Sequence, residues 1–473
     1  MRSEKLFRPF IRPMFNSHCG GIRLDEVSLM KRIGALLLCG ILLLPAAGAS
    51  GTPWPAWAAE ALAWGREKSV SRAFLASPGQ RLTRGAVARL LYESAGQPAA
   101  HEECPFSDVS EKDAAAVGWA AGQGYLTGVG DGTYEPGRPV TRQEFAAILW
   151  RQAGTPEVPV QGLERFGDAG TVSEWARDAV LWCQQAGVMA GRSGDKLAPE
   201  DTITTAEALV MLERAAGLPD VGQLRDDLEI LAAHHRPVGS QGEADAVRYL
   251  RDRFEEMGYS VTLQPYTDGQ GRTGHNVAAV KAASVPDADI LVLSAHHDSV
   301  PTAYGANDNA SGVAALLYTA EALRNVPTDT EVRFLSFTDE ENGKNGSRTY
   351  TASLTEEERT RIVGAIQFDM LGGLGSTGTL VCTVDGEANW VSDLLQKKNP
   401  GLESGVETAS DHTSFQLSGI PAVLLMQRGR GYLYHSAADT AEQLDLYAIA
   451  AAADSAAAAA EEICSADTPS YRA

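Results

Sequence analysis

Residues 294–312 read Ser-Ala-His-His-Asp-Ser-Val-Pro-Thr-Ala-Tyr-Gly-Ala-Asn-Asp-Asn-Ala-Ser-Gly and follow the branched apolar run Ile290-Leu291-Val292-Leu293. A run this short and this rich in branched residues predicts a buried strand. Helical spacing resumes at Val313-Ala314-Ala315-Leu316-Leu317, with Ser311 or Asp308 expected to cap the helix. In a doubly wound α/β sheet, ligands gather outside the carboxyl ends of the strands. The polar residues leaving this strand are therefore site candidates.

The alternation continues on both sides. Gly217-Leu218-Pro219 marks a boundary, and helical patterns over 224–231 and 244–257 precede strand-like runs at 258–263 and 276–280. After the helix that opens near Ser311 come a strand at 332–338, a helix near 349–362 and strands at 365–368, 380–384 and 422–426. A last helix is expected over 444–463. This order predicts a largely parallel central sheet flanked by helices across 219–466, with 467–473 as a tail.

Candidate ligands recur at the strand ends: His296 and Asp298, then Glu340 and Glu341, then Asp369, with His435 in the loop beyond 422–426. Carboxylates and histidines converging on one sheet edge repel one another and lose solvation unless a cation joins them. Histidine and carboxylate ligands suit zinc first, with cobalt or manganese as substitutes. Alternation along a strand puts His296 and Asp298 on one side and His297 on the other. Asp298 can then fix the His296 imidazole, while His297 reads as a packed or solvated residue. Of the neighbours Glu340 and Glu341, one can bind metal while the other serves as base.

His-x-Asp-Ser-Val, Gly-Ala-Asn-Asp-Asn-Ala-Ser-Gly, Glu-Glu-x-Gly-x-x-Gly-Ser, Phe-Asp-Met and Tyr-His, in this order over about 222–463, resemble the secreted co-catalytic dizinc aminopeptidases. The resemblance implies a zinc-exopeptidase-like fold with two zinc ions. His296 and Asp369 would bind one, Glu341 and His435 the other, and Asp308 would bridge them. It further implies Glu340 as general base and acid, Tyr434 as a carbonyl-polarising group, and peptides with a free amino terminus as substrates. The Asp411-His412 segment is also typical of that family and reads as lining the substrate pocket, with a structural role for His412 as the alternative. Lys344-Asn345 departs from the more apolar residues common there. Another zinc exopeptidase specificity (carboxypeptidase or dipeptidase), a glutaminyl cyclase and an inactive wall-binding module are the alternatives.

Ahead of this region the chain repeats itself. Pro105-Phe106-Ser107-Asp108-Val109 through Val140-Thr141-Arg142-Gln143-Glu144 returns as Arg165-Phe166-Gly167-Asp168 through Ile203-Thr204-Thr205-Ala206-Glu207. An earlier, worn copy carries Trp57-Ala58 and Leu82-Thr83-Arg84. Each copy reads as helix, Gly-rich loop, capping Thr and second helix, and Thr141 to Glu144 and Thr204 to Glu207 predict capping boxes. The pattern resembles S-layer homology repeats, and three copies over 50–218 make an all-α domain. That resemblance implies binding of secondary cell-wall polysaccharide, an anionic glycan, through Arg84 and Arg142, with Thr205 standing where the third copy lacks the arginine.

Lys31-Arg32, the apolar run 33–44 and Ala47-Gly48-Ala49 read as a secretory signal within 1–49, with Met30 a possible start. An exported, wall-surface location follows, with no membrane attachment after cleavage; an uncleaved anchor is the alternative. Among the 473 residues, Lys+Arg 40 against Asp+Glu 61 give a net charge of −21, which argues against nucleic acid as a partner. Cys104, Cys183, Cys382 and Cys464 follow the leader, and an exported chain permits either bridges or free thiols.

Overall fold

The computed structural model describes residues 53–465, except 100–103, 157, 159–161, 193–194, 374–375, 430 and 432. The expected leader at 1–49 and tail at 467–473 lie outside the described residues. Among the described residues, no helix is long and apolar enough to cross a membrane.

In the first part, each sequence copy supplies one pair of helices: Ala59–Glu67 and Arg84–Ser94, Glu111–Gly122 and Arg142–Gln152, and Arg177–Gln185 and Thr205–Ala216. The second helix of each copy packs on the first helix of the next, Thr205–Ala216 closing back on Ala59–Glu67. The second helix of each pair starts on a threonine. Thr141 and Thr204 make the full reciprocal capping box, and Thr83 accepts the Ala86 amide. Each such cap contributes about 1 kcal/mol. Just ahead of the caps, Leu82 N donates to Ile203 O at 3.0 Å, Ile203 N to Val140 O at 2.9 Å, and Val140 N to Leu82 O at 3.0 Å. These bonds close a ring through the three copies, so none can be removed without leaving backbone groups of its neighbours unpaired. Trp182, Phe145, Leu82 and Leu90 are among the side chains packed into the common core.

The second part is built on one eight-stranded sheet. Its strands are β1 (Ser260–Thr267), β2 (Thr273–Lys281), β3 (Ile290–His296), β4 (Glu331–Phe337), β5 (Ile362–Phe368), β6 (Thr379–Thr383), β7 (Glu403–Val406) and β8 (Ala422–Gln427). They lie in the order β1-β2-β4-β3-β5-β8-β6-β7. The central strands β4, β3, β5 and β8 are parallel, whereas β1, β2 and β6 pair antiparallel toward the edges. Every residue of β3 and β5 is buried, because helices cover both faces. Leu291, Leu293 and Ala295 face one apolar layer, Ile290 and Val292 the other. That alternation fixes the register of β3, and with it the position of His296 at the strand's end.

One local expectation needs correction, and one strand was not read. The single helix near 349–362 is two, Asn345–Ser353 and Glu356–Arg361, and Ile362 already belongs to β5. Strand β7 carries no apolar alternation strong enough to be read, since it is a short edge strand with mostly exposed side chains. Tyr447, near the start of the last helix (Leu446–Cys464), packs against both cores, and its hydroxyl accepts the Trp182 indole N–H at 3.1 Å. Cys104, Cys183, Cys382 and Cys464 are all free thiols.

Candidate metal centre

β4 and β5 flank β3 on opposite sides, so the chain reverses its direction of travel across the sheet at β3. A crevice opens at such a switch point, beyond the carboxyl ends of the strands. Four loops and one strand end feed it. His296 ends β3, Asp308 precedes the helix α1 (Ser311–Leu323), Glu340 and Glu341 follow β4, Asp369 follows β5, and His435 comes from the loop after β8.

Asp308 divides its carboxylate between two histidines. Its Oδ1 lies 3.3 Å from His296 Nε2 and its Oδ2 3.1 Å from His435 Nε2. Asp369 Oδ1 stands 3.4 Å from His296 Nε2, and Glu341 Oε2 3.0 Å from His435 Nε2. The structure thus brings His296, Asp308 and Asp369 into one cluster and Asp308, Glu341 and His435 into another, with the ligand-capable atoms of each within 4.8 Å of one another. His296 Nε2, Asp369 Oδ1, Glu341 Oε1 and His435 Nε2 are buried without hydrogen-bond partners. Orphaned groups of this kind cost about 1–3 kcal/mol each, and a cation between them removes the cost. Two sets of one histidine and two carboxylates, sharing Asp308, fit a pair of divalent ions of the zinc type.

Without a cation the cluster has to hold protons. Burial opposes the His296 imidazolium, but Asp369, Asp298 and Asp308 outweigh it and hold its pKa well above the usual histidine range. Burial and the facing Asp308 push Glu341 up to about 9. Burial, with Asp411 and Asp369 adding to it, also holds Glu340 well above the carboxylate range despite His296. Asp308 goes the other way, since the facing His296 and His435 imidazoles outweigh its burial.

The loops explain the sequence motifs. Asp298 Oδ1 lies 3.3 Å from His296 Nδ1, and its carboxylate accepts the amides of Glu340 at 3.0 Å and Glu341 at 3.2 Å. In the Ala-Asn-Asp-Asn-Ala-Ser-Gly run, Asn309 donates to Phe368 O, and its Oδ1 accepts the amides of Gly312 and Met370. Ser311 donates to Asn307 O and accepts the Leu371 amide. The run is therefore glued to the strand end that carries Asp369. A Cβ on Gly312 would come within 2.3 Å of Asn309 Oδ1 and 2.5 Å of Phe368 O, so that position requires glycine. The expected cap is corrected: Asn309, rather than Ser311 or Asp308, receives an amide of the first helical turn. Asp339, Met370 and His435 all have left-handed φ, of 55°, 55° and 56°. Non-glycine residues held there mark local strain next to the cluster.

Glu340 and Tyr434 line the cavity at the cluster together with Asp308, Glu341 and Asp369, and Met370, Leu424 and Met426 are its apolar lining. The Tyr434 ring stacks on His435, with centroids 3.7 Å apart. His297 turns away and hydrogen-bonds through Nδ1 to Ser336 Oγ at 3.0 Å. His412 is not at the pocket surface, which corrects that expectation. It is fully buried, its Nε2 lies 2.9 Å from Glu407 O, and burial pushes its pKa down to about 4. Ser410, two residues earlier, lines the cavity and donates to Asp369 Oδ2 at 2.6 Å. Ser410, Arg236 and Asp439 also surround the cluster and were passed over in the sequence, whereas Asp411 was named with its segment. Ser410 and Asp439 lie close to motifs in the sequence; Arg236 carries no such signal.

The repeat arginines lie between copies. Arg84 Nε donates to Tyr134 O at 2.7 Å, and Arg142 Nε to Leu197 O at 3.0 Å. Asp108 and Asp168, the acids of the Phe-x-Asp openings, accept the amides of Tyr134 and Glu135 and of Leu197 and Ala198. Arginine and aspartate thus grip the same loop from opposite sides at two interfaces. Thr205 occupies the third, where the first copy also lacks the Phe-x-Asp opening. Arg142 is almost fully buried, with Nη1 on Glu207 and Nη2 on Ala190 O. The groove beside it is lined by Trp57, Arg192 and Arg214.

Residues 276–460 match peptidase family M28, and residues 105–146 and 165–209 match the S-layer homology domain. The chain is similar to aminopeptidase YwaD of Bacillus subtilis (strain 168), 35% identical over 169 residues that cover 34% of this chain and 36% of that protein. It is also similar to leupeptin-inactivating enzyme 1 of Streptomyces exfoliatus, 32% identical over 209 residues that cover 41% and 45%. The chain therefore spans less than half the length of these curated relatives. Its fold is similar to that of BSAP, a zinc aminopeptidase from Bacillus subtilis, with a TM-score of 0.50 and 19% identity over 53% of this chain and 98% of that one.

Proposed function

We propose that this chain, a peptidase family M28 domain joined to S-layer homology repeats, is an exported, wall-anchored zinc aminopeptidase that removes amino-terminal residues from peptides. The repeats are assigned to 50–218, the peptidase domain to 219–466 and the leader to 1–49. The divided carboxylate of Asp308, between two otherwise unpartnered histidine nitrogens, carries the reading.

His296 and Asp369 would hold one zinc ion, Glu341 and His435 the other, and Asp308 both. Such a pair supplies Lewis acidity that acidifies a water and polarises the scissile carbonyl. Glu340 accepts the proton of the attacking water and returns it to the leaving amine. Tyr434, on the cavity wall, donates to the developing oxyanion. The acidic surroundings suit a free α-ammonium, and the wall of Met370, Leu424 and Met426 suits an aliphatic first side chain.

The repeats supply the anchor, with an anionic secondary cell-wall polysaccharide as partner. Arg142 lies deep in its groove, so the groove's more exposed cations, Arg192 and Arg214, would meet the glycan first. Arg84 marks a second contact between copies.

The test is hydrolysis of aminoacyl p-nitroanilides by residues 50–473, with free and acetylated amino groups, before and after chelation. Cleavage of the free-amine forms alone, lost on chelation and restored by zinc, is expected. Turnover of acetylated substrates, or turnover unaffected by chelation, would overturn the reading.

A further inference from the structure

A buried cation stands behind the carboxylate cluster, and the proposed chemistry does not use it. Arg236 is 1% exposed. Its Nε donates to His297 O at 2.6 Å and its Nη2 to Gly305 O at 2.9 Å. Its Nη1 faces Leu231 O at 2.5 Å, Tyr304 O at 2.7 Å and His234 O at 3.2 Å. The backbone joins in, since the Arg236 amide donates to Ser299 Oγ at 2.9 Å and the Ser299 amide to Arg236 O at 3.3 Å. One side chain therefore pins both ends of the loop 297–305, which leaves β3 and returns toward Asp308. Among the described residues, Arg236 makes no direct ion pair. Its charge is balanced through space by Asp298, Asp439, Asp308 and Glu341, which partly offset the effect of burial.

The other side of the same segment hangs from an anion. Asp439, also 1% exposed, sits four residues beyond His435. Its Oδ1 accepts the Asn307 amide at 2.7 Å, its Oδ2 the Asp308 amide at 3.2 Å, and its carbonyl the Ala306 amide at 3.4 Å. Residues 304–308 thus present carbonyls to a cation and amides to a carboxylate, replacing the partners that regular secondary structure would give. Gly305, at φ 63°, leaves no room for change: a Cβ there would lie 2.4 Å from Asp308 O, 2.7 Å from Ser299 Cβ and 3.1 Å from Arg236 Nη2.

We infer that Arg236 and Asp439 are positioning residues for Asp308, clamping its backbone from two sides so that its two carboxylate oxygens stay divided between His296 and His435. The inference rests on the two-ion reading of the site. It adds a link that the ligands alone do not have, because Asp439 ties the His435 loop to the Asp308 segment, and Arg236 ties that segment to the end of β3. A purely structural pair would affect folding stability alone. A clamp acts on the geometry of the shared carboxylate.

The experiment compares the full chain with Arg236→Lys and Asp439→Asn. Asparagine keeps the shape but only one accepting oxygen; lysine keeps the charge but loses the planar fork. Both variants are expected to retain wild-type helix content by circular dichroism. Amide hydrogen exchange over 304–308 in the metal-free protein should quicken at least ~10-fold, with β5 unchanged. Zinc affinity, read by chelator competition, should fall roughly 10- to 100-fold. In zinc-saturated protein, kcat should fall while KM stays within about twofold of wild type. Folded variants with wild-type exchange at 304–308 and wild-type zinc affinity would overturn the clamp. Should Arg236→Lys fail to fold, Asp439→Asn decides alone, since it opens no cavity. If the wild-type chain binds fewer than two zinc ions, the two-ion reading fails, and exchange at 304–308 still decides whether the clamp exists.

Discussion

Asp298 Oδ1 stands 3.3 Å from His296 Nδ1, on the side of the imidazole opposite Asp308 and Asp369. With a proton on Nδ1, facing this carboxylate, the ring offers its Nε2 lone pair to a cation bound in the cluster. The same carboxylate also receives the amides of Glu340 and Glu341. Asp298→Asn leaves one accepting oxygen for these three demands. Zinc affinity is expected to fall about 10- to 100-fold, the range typical of such supporting groups. Chelator competition on the purified variant measures it.

Glu340 and Glu341 are sequence neighbours with separate tasks, because only Glu341 approaches His435 and Asp308. Glu340→Gln keeps the side-chain volume but removes the proton acceptor. It should lower kcat by about 10²- to 10⁴-fold and leave the zinc content of the protein as in wild type. Steady-state kinetics alongside elemental analysis separates this from a ligand defect, in which zinc would be lost with activity.

The legible part of the site was the part written in strand ends. His296, Glu340, Glu341, Asp369 and His435 lie at or beyond strand ends, and β3 through β5 carry apolar runs strong enough to place them, whereas the role of Asp308 came from the resemblance of its motif. What stayed hidden acts across long sequence separations. Ser410 meets Asp369, and Asp439 meets Asn307 and Asp308, through contacts that no local periodicity encodes. His412 reads as a pocket residue because its segment is typical of the family, yet it is buried with Nε2 2.9 Å from Glu407 O, in keeping with the structural alternative. The ring through Leu82, Ile203 and Val140 was equally invisible, since it depends on the three copies closing on one another.

The protonation pattern predicts how the metal-free protein responds to pH. Glu341 has a folded pKa of about 9, against an unfolded value of about 4.3. At neutral pH the folded chain keeps a proton that the unfolded chain has released, so stability falls as pH rises through this window. His296, also raised, contributes in the same sense. Asp308 is depressed, and its contribution is constant above its ordinary pKa. Calorimetry of chelated protein should therefore show Tm falling from pH 6 to pH 9. Zinc, taking the place of the protons, should flatten the profile, and Glu341→Gln should remove part of the slope. A metal-free Tm that rises over this range would contradict the assignment.

Arg84 and Arg142 occupy equivalent places in two copies but differ in burial, so the same substitution should have unequal effects. Arg142 is 3% exposed and bonds Leu197 O, Ala190 O and Glu207. Its removal takes this donor from the buried Leu197 carbonyl and the partly buried Ala190 carbonyl. Glu207 keeps Arg192, which with the Thr204 amide holds its pKa down to about 2 against burial. The cost of Arg142→Ala is expected to be about 3 kcal/mol, the lower end for breaking a buried charged network. Arg84 is only half-buried and rests on the Tyr134 ring at 4.4 Å, so water can reach the groups it abandons. Arg84→Ala should cost about 1 kcal/mol. Thr205 shows why neither change should unfold the ring, because the third interface closes with a hydroxyl on Gln80 O and a backbone bond from the Thr205 amide. Urea denaturation of the two variants gives both values, and equal losses would mean that the buried arginine is no more important to the repeats than the half-buried one.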